Sequence, residues 1–202
     1  MFNEKPRTLE VCETGVPIDT DFRIMCEFAE AVRSKDSDKL AETAQKFYYA
    51  GLPENAGTDD AAKGMSRFYG TGIDPKGAEK GAENGAEKDK APVFDFEQDE
   101  VYFYAAFLSA YSIDLNTAKL HWFDFCALFR GLPDECRLKQ IIGIRAADLR
   151  KISSPAEKKR IRELKKLYAL DGAEQESEAV RLLRERAMKE REENARAGTV
   201  TD

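Results

Sequence analysis

Apolar residues along the first seventy positions fall first into a period of two and then into a period near 3.6. In 8–18, Leu9 and Val11 alternate with polar neighbours, Glu13-Thr14-Gly15 supplies a turn, and Val16-Pro17-Ile18 returns. This predicts a short β-hairpin whose second strand Pro17 confines to an edge. Asp19-Thr20-Asp21 then opens a helix with Phe22, Met25, Phe28, Ala29 and Val32 along one stripe. Ser37 is placed to cap a second helix, with Leu40, Ala44 and Phe47 or Tyr48 inward, stopped by Gly51 and Pro53. Thr58 caps a third, carrying Ala62, Met65, Phe68 and Tyr69 before Gly70. Gly64 within it is unfavourable by about 1 kcal/mol relative to alanine.

At 71–92 the rhythm stops. KGAEKGAENGAEKDKAP, residues 76–92, repeats Gly-Ala-Glu-Lys, Gly-Ala-Glu-Asn and Gly-Ala-Glu-Lys from Gly77, Gly81 and Gly85. Glycine at every fourth position opposes the helix that Ala, Glu and Lys favour. Alanine is the sole apolar residue type between Ile73 and Val93. A solvated linker is expected, its ends about 25 Å apart as coil. It divides the chain into an N-terminal part, 1–70, and a C-terminal part, 93–170.

The pattern resumes with Asp95 three residues before Gln98, the spacing of a capping box, ahead of FEQDEVYFYAAFLSAY. Val101, Tyr104, Ala105, Leu108 and Tyr111 form one stripe, and Phe103 and Phe107 a second beside it. So wide an apolar surface predicts a helix central to its domain. Asn116 caps the next expected helix, TAKLHWFDFCALFR, which ends at Gly131-Leu132-Pro133. Asp134 starts DECRLKQIIG, broken at Gly143, and a short turn occupies 145–152. Ser154-Pro155-Ala156-Glu157 combines a cap, a proline at the first helical position and a glutamate at the third. It opens a helix with Ile161, Leu164 and Leu167 or Tyr168 inward, ended by Asp171-Gly172. A charged, partly helical tail with a thin Val180, Leu183, Ala187 stripe fills 171–202. The predicted fold is mainly α: two small helical halves joined by a flexible Gly/Ala/Glu/Lys spacer, with a short N-terminal β-hairpin.

Charge sharpens this picture. The 202 residues are 35% charged and carry a net −6, which argues against nonspecific nucleic-acid binding by the whole surface. The distribution is uneven: 150–170 hold eight basic residues and two acids, 171–202 six and nine, and 1–149 a net −9. The longest apolar run, 101–108, is far short of a membrane span, so no membrane partner is expected. Cys12, Cys26, Cys126 and Cys136 lack metal-ligand spacing, and MFNEKPRTLEVCE has no apolar signal-peptide core. Reduced cysteines in a cytoplasmic protein are the expectation.

Candidate chemistry is sparse. His121, the one histidine, adjoins Trp122 on an aromatic stretch, where a packed or capping role is expected. It lies five residues from Cys126, off one helical face, which argues against a Cys/His nucleophile. Gly70-Thr71-Gly72 lacks the Lys-Ser/Thr of a phosphate loop. Neither catalytic, cofactor-binding nor metal-ligating residues are expected, and no enzyme. Arg150, Lys151, Lys158, Lys159, Arg160, Arg162, Lys165 and Lys166 could neutralise phosphates, but no aromatic residue interleaves with them. An acidic partner, or the chain's own acidic body, requires fewer assumptions than nucleic acid.

Several strings taken together carry a resemblance. FDFEQDEVYFYAAFLSAYSIDL, LHWFDFCALFRGLPDE, KQIIGIRAADLRKI and ELKKLYAL, with VPIDTDFRIMCEF and FYYAGLP before them, make residues 9–170 resemble a family of small phage proteins. The family is encoded in the tail-gene cluster of long-tailed phages and prophages of Gram-positive bacteria. Phe123 stands where it more often has a second tryptophan, and Ile144 where it commonly has tyrosine. The position of such genes, between those of the tail-tube and tape-measure proteins, implies a tail assembly chaperone in the host cytoplasm. It would bind the tape-measure protein and recruit the major tail-tube protein, with a homo-oligomer left open. The spacer would let one half grip the tape measure while the other reaches the tube subunit. The side chains expected to meet partners are Tyr102, Phe103, Phe107, Trp122, Phe123, Phe129, Arg145, Arg160, Lys165, Lys166 and Tyr168. Alternatives are a structural minor tail protein of the virion and a nucleic-acid-binding regulator using the basic 150–166 helix.

Overall fold

The computed structural model describes residues 5–73 and 92–171. The glycine-alanine-glutamate repeat and the tail after Asp171 lie outside the described residues, and with them the linker and tail expectations. The chain divides into two compact units, Met1–Ile142 and Gly143–Asp202. The division therefore falls after Ile142 and not at the repeat.

The first unit opens with the hairpin, β1 (Thr8–Val11) antiparallel to β2 (Thr14–Pro17), in the register Leu9 to Val16 and Val11 to Thr14. Its turn is Cys12-Glu13, one residue earlier than expected, with φ of 48° and 62°. Both loop residues are left-handed, as a tight two-residue hairpin turn requires. Burial of Leu9, Val11 and Val16 fixes that register and leaves Gly15 inside the strand.

Helix α1 (Phe22–Ser34) is capped by Asp21, whose carboxylate accepts from Arg23 N at 3.0 Å. Its buried face is Phe22, Ile24, Met25, Phe28 and Ala31, and Val32 points to solvent. Helix α2 (Ser37–Phe47) takes Asp36 as its cap in place of Ser37, the carboxylate accepting from Asp38 N and Lys39 N. Helix α3 (Thr58–Ile73) runs through three glycines. Two of them make room for aromatic rings. The Tyr48 hydroxyl lies where a Gly64 side chain would be and donates to the Ala61 carbonyl at 3.0 Å, and the Trp122 indole does the same over Gly72.

Beyond the repeat, the Asp95 carboxylate accepts from Glu97 N and Gln98 N, but the turn it closes precedes the helix, and α4 spans Glu100–Tyr111. Asn116 caps nothing. Its loop is held by Arg23, which donates to the Leu115 and Ala118 carbonyls at 2.7 and 2.9 Å. Helix α5 (Trp122–Arg130) starts five residues later than expected, capped by His121. Helix α6 (Arg137–Ala146) passes through Gly143 unbroken.

Elements on either side of the repeat share one core, which corrects the expected two halves. Phe22 N donates to the Leu120 carbonyl at 3.1 Å and Trp122 N to the Thr20 carbonyl at 2.8 Å. The Phe125 ring stacks on Phe22 at 4.6 Å, on Phe107 at 5.0 Å and on Trp122 at 5.7 Å. Arg33 Nε reaches the buried Asp95 carboxylate at 2.7 Å, tying the end of α1 to the turn before α4. Offset aromatic contact adds roughly 0.5–1.5 kcal/mol per pair to the burial of each ring.

In the second unit a single 3₁₀ turn (Leu149–Lys151) precedes α7 (Pro155–Leu167). Ser154 caps α7 through Glu157 N, with Pro155 at the first position, as the local sequence predicts. Arg145 Nε donates to the Tyr168 carbonyl at 2.5 Å, and Lys165 Nζ to the Arg145 carbonyl at 2.7 Å. The fold is mainly helical with one short N-terminal hairpin.

Candidate partner-binding surface

Helix α4 is apolar on opposite faces. Phe103, Ala106 and Phe107 are buried, whereas Val101 and Leu108 are 74% and 42% exposed, with Ala105 open between them. The 101, 105, 108 spacing puts these three in one row along the helix. Expected to be central, the helix instead has one face in the core and the other in solvent. The larger rings at 103 and 107 bury more area and take the core side, leaving the aliphatic stripe outside.

Two grooves accompany it. One, about 520 Å³, runs between α2 and α3 over Leu40, Ala44, Ala61 and Met65, with the half-exposed Leu52 at its margin. The other, about 370 Å³, lies between α1 and the start of α4, floored by Phe22, Cys26, Phe103 and Phe125. Glu27, Glu30, Glu97 and Glu100 line its rim.

The structure scatters the side chains expected to meet partners. Phe107 and Trp122 are core residues with no surface to offer, and Phe103 is buried but for the edge it shows in the floor of the α1/α4 groove. Tyr102, Phe123 and Phe129 are half-buried against that core. In the second unit Arg145 and Lys165 are engaged with the backbone, and Arg160 pairs with Glu157 at 3.3 Å, while Lys166 is exposed. Tyr168 is half-buried, its carbonyl accepting from Arg145. Val101 and Leu108, the most open apolar side chains of α4, were legible as a stripe, but its direction was not.

His121 acts as a cap. Its Nδ1 accepts from Phe123 N at 3.1 Å, so Nε2 carries the proton and donates to the Pro6 carbonyl at 3.1 Å. Burial holds its pKa below the usual 6.5. A depressed folded-state pKa means that the histidine's contribution is complete above the unfolded value and is lost as pH falls through the folded one. An NMR titration of this single histidine should give a midpoint below 6.5, with the urea midpoint falling between pH 7 and 5. A midpoint at or above 6.5 would contradict the neutral cap.

All four cysteines are free, and burial pushes the Cys126 thiol up to about 12. Among the described residues no group of three or more His, Cys, Asp or Glu side chains is placed to hold a metal ion. Among them also, no helix is long and apolar enough to cross a membrane.

A mainly helical chain with a bare apolar face on α4 matches a bacteriophage family over nearly all of its described length. The chain belongs to the Bacteriophage Gp15 protein family, whose model matches residues 2–170. No curated protein and no solved structure matches it.

Proposed function

We propose that this chain is a non-catalytic tail assembly chaperone that binds the phage tape-measure protein in the host cytoplasm. It keeps that protein's amphipathic helices soluble and presents them to tail-tube subunits. The supporting observation is the outward face of α4, where Val101, Ala105 and Leu108 form a stripe of the kind a partner helix packs against. Membership of a bacteriophage family supplies the biological setting. Because the stripe lies opposite the core face, it can be occupied without disturbing the fold.

Co-expression with the tape-measure protein of the same genome tests the reading. The wild-type chain should hold the tape measure in the soluble fraction and co-purify with it. Val101→Glu with Leu108→Glu should leave the circular-dichroism melt unchanged and weaken capture by at least about tenfold, the equivalent of 1.4 kcal/mol. A tape measure that stays insoluble and alone beside the wild-type chain defeats the proposal. Recovery of the chain in purified particles would transfer the assignment to a structural minor tail protein.

A further inference from the structure

We infer that the chain self-associates head to tail, with α7 of one copy seated in the α1/α4 groove of a second. The groove and the helix have complementary chemistry. The groove has an apolar floor of Phe22, Cys26, Phe103 and Phe125 beneath four glutamates. Glu27 and Glu30 already pair with Lys46 and Arg33, and Arg33 also lies 3.9 Å from Glu97. Glu100 is exposed and in no ion pair among the described residues, and Glu97 is largely exposed. Of the two cations on the groove wall, Arg23 is committed to Asp21 and two backbone carbonyls, which leaves Lys39 on the acidic rim.

Helix α7 has the opposite character. None of its 13 residues is fully buried, and Leu167 is 70% exposed. The helix carries six cations against two carboxylates; Arg160, paired with Glu157, and Glu163 lie two turns and one turn before Leu167, so the leucine stands on a helix of net positive charge. By sequence, the first unit carries a net −9 and the second a net +3. Opposite signs on two surfaces of one chain favour contact between copies, and an apolar knob entering an apolar floor fixes the register. An interface made from two different surfaces is heterologous: each joined pair keeps one free groove and one free helix, on different copies, and the association continues or closes into a ring.

This inference uses neither the outward face of α4 nor a tape-measure protein, so it stands or falls apart from the proposed function. Sedimentation velocity of the full chain across a concentration series should show reversible association. It should weaken by at least about tenfold as salt rises from about 0.1 M to about 1 M and the Debye length shrinks from ~10 to ~3 Å. A groove variant, Glu97→Lys with Glu100→Lys, and a helix variant, Arg160→Ala with Lys166→Ala and Leu167→Ala, should each be monomeric alone. Mixed together they should form a 1:1 complex that grows no further, because one supplies the only intact groove and the other the only intact helix. That complex also shows that both variants fold. A wild-type chain that stays monomeric at low salt overturns the inference, as does association that neither variant weakens.

Discussion

Phe125→Ala is expected to destabilise the first unit by about 3–5 kcal/mol, the range for removing a large ring from a packed core. The ring is 1% exposed, stacks within 13° of Trp122 and within 10° of Phe22 and Phe107, and has Phe96 and Phe103 at 6.0 Å. Its neighbours come from α1, before the repeat, and from α4, α5 and the turn after it. The loss should therefore appear equally in hydrogen exchange of α1 and in the fluorescence of Trp122, the chain's one tryptophan. If α1 keeps its protection while α5 loses it, the shared core is disproved and the two-half organisation returns. Phe125→Leu, which refills most of the volume, should cost clearly less.

Gly72→Ala should also be strongly destabilising, against the ordinary preference of helices for alanine. A Cβ at 72 meets the Trp122 indole, with Cδ1 at 2.6 Å and Cε2 at 2.9 Å. The indole is fully buried, and its Nε1 donates to the Tyr69 carbonyl at 3.2 Å, so retreat breaks that bond. Overpacking of this kind costs about 1–3 kcal/mol, enough to outweigh the gain of up to about 1 kcal/mol in helix propensity. Gly70→Ala is the internal control: nothing lies within 4 Å of its Cβ position, so it should be neutral or stabilising. Urea titration of the two variants compares them directly, and a Gly72→Ala protein as stable as Gly70→Ala would refute the packing argument.

Those glycines show where the sequence was legible and where it was not. The hairpin, the three N-terminal helices and the Ser154 cap follow from local signals: alternation, periodicity, a cap followed by proline. The end of α3 does not. Gly64, Gly70 and Gly72 look like helix breakers, and the reason two of them are tolerated lies in tyrosine and tryptophan rings distant in the chain. The start of α5 misled for a related reason. Asn116 is a good cap by type, but Arg23 holds the backbone at Leu115 and Ala118 as a loop, and His121 caps in its place. At the candidate site the width of the α4 apolar surface was visible. Which stripe meets solvent depended on rings from α1 and α5, and periodicity carries no information about those.

The anchoring of α3 and of the turn before α4 bears on how the repeat itself can change. On one side Arg130 Nη1 grips the Gly72 carbonyl at 2.6 Å, and on the other Arg33 grips Asp95, both within the first unit. The entropy of closing a loop between two such points grows only with the logarithm of its length. Gaining or losing one Gly-Ala-Glu-Lys copy between them shifts that term by roughly 0.2 kcal/mol. Selection for folding is nearly blind to a change so small. The number of copies is therefore free to drift through replication slippage, and related chains should differ in repeat number while keeping both arginine anchors.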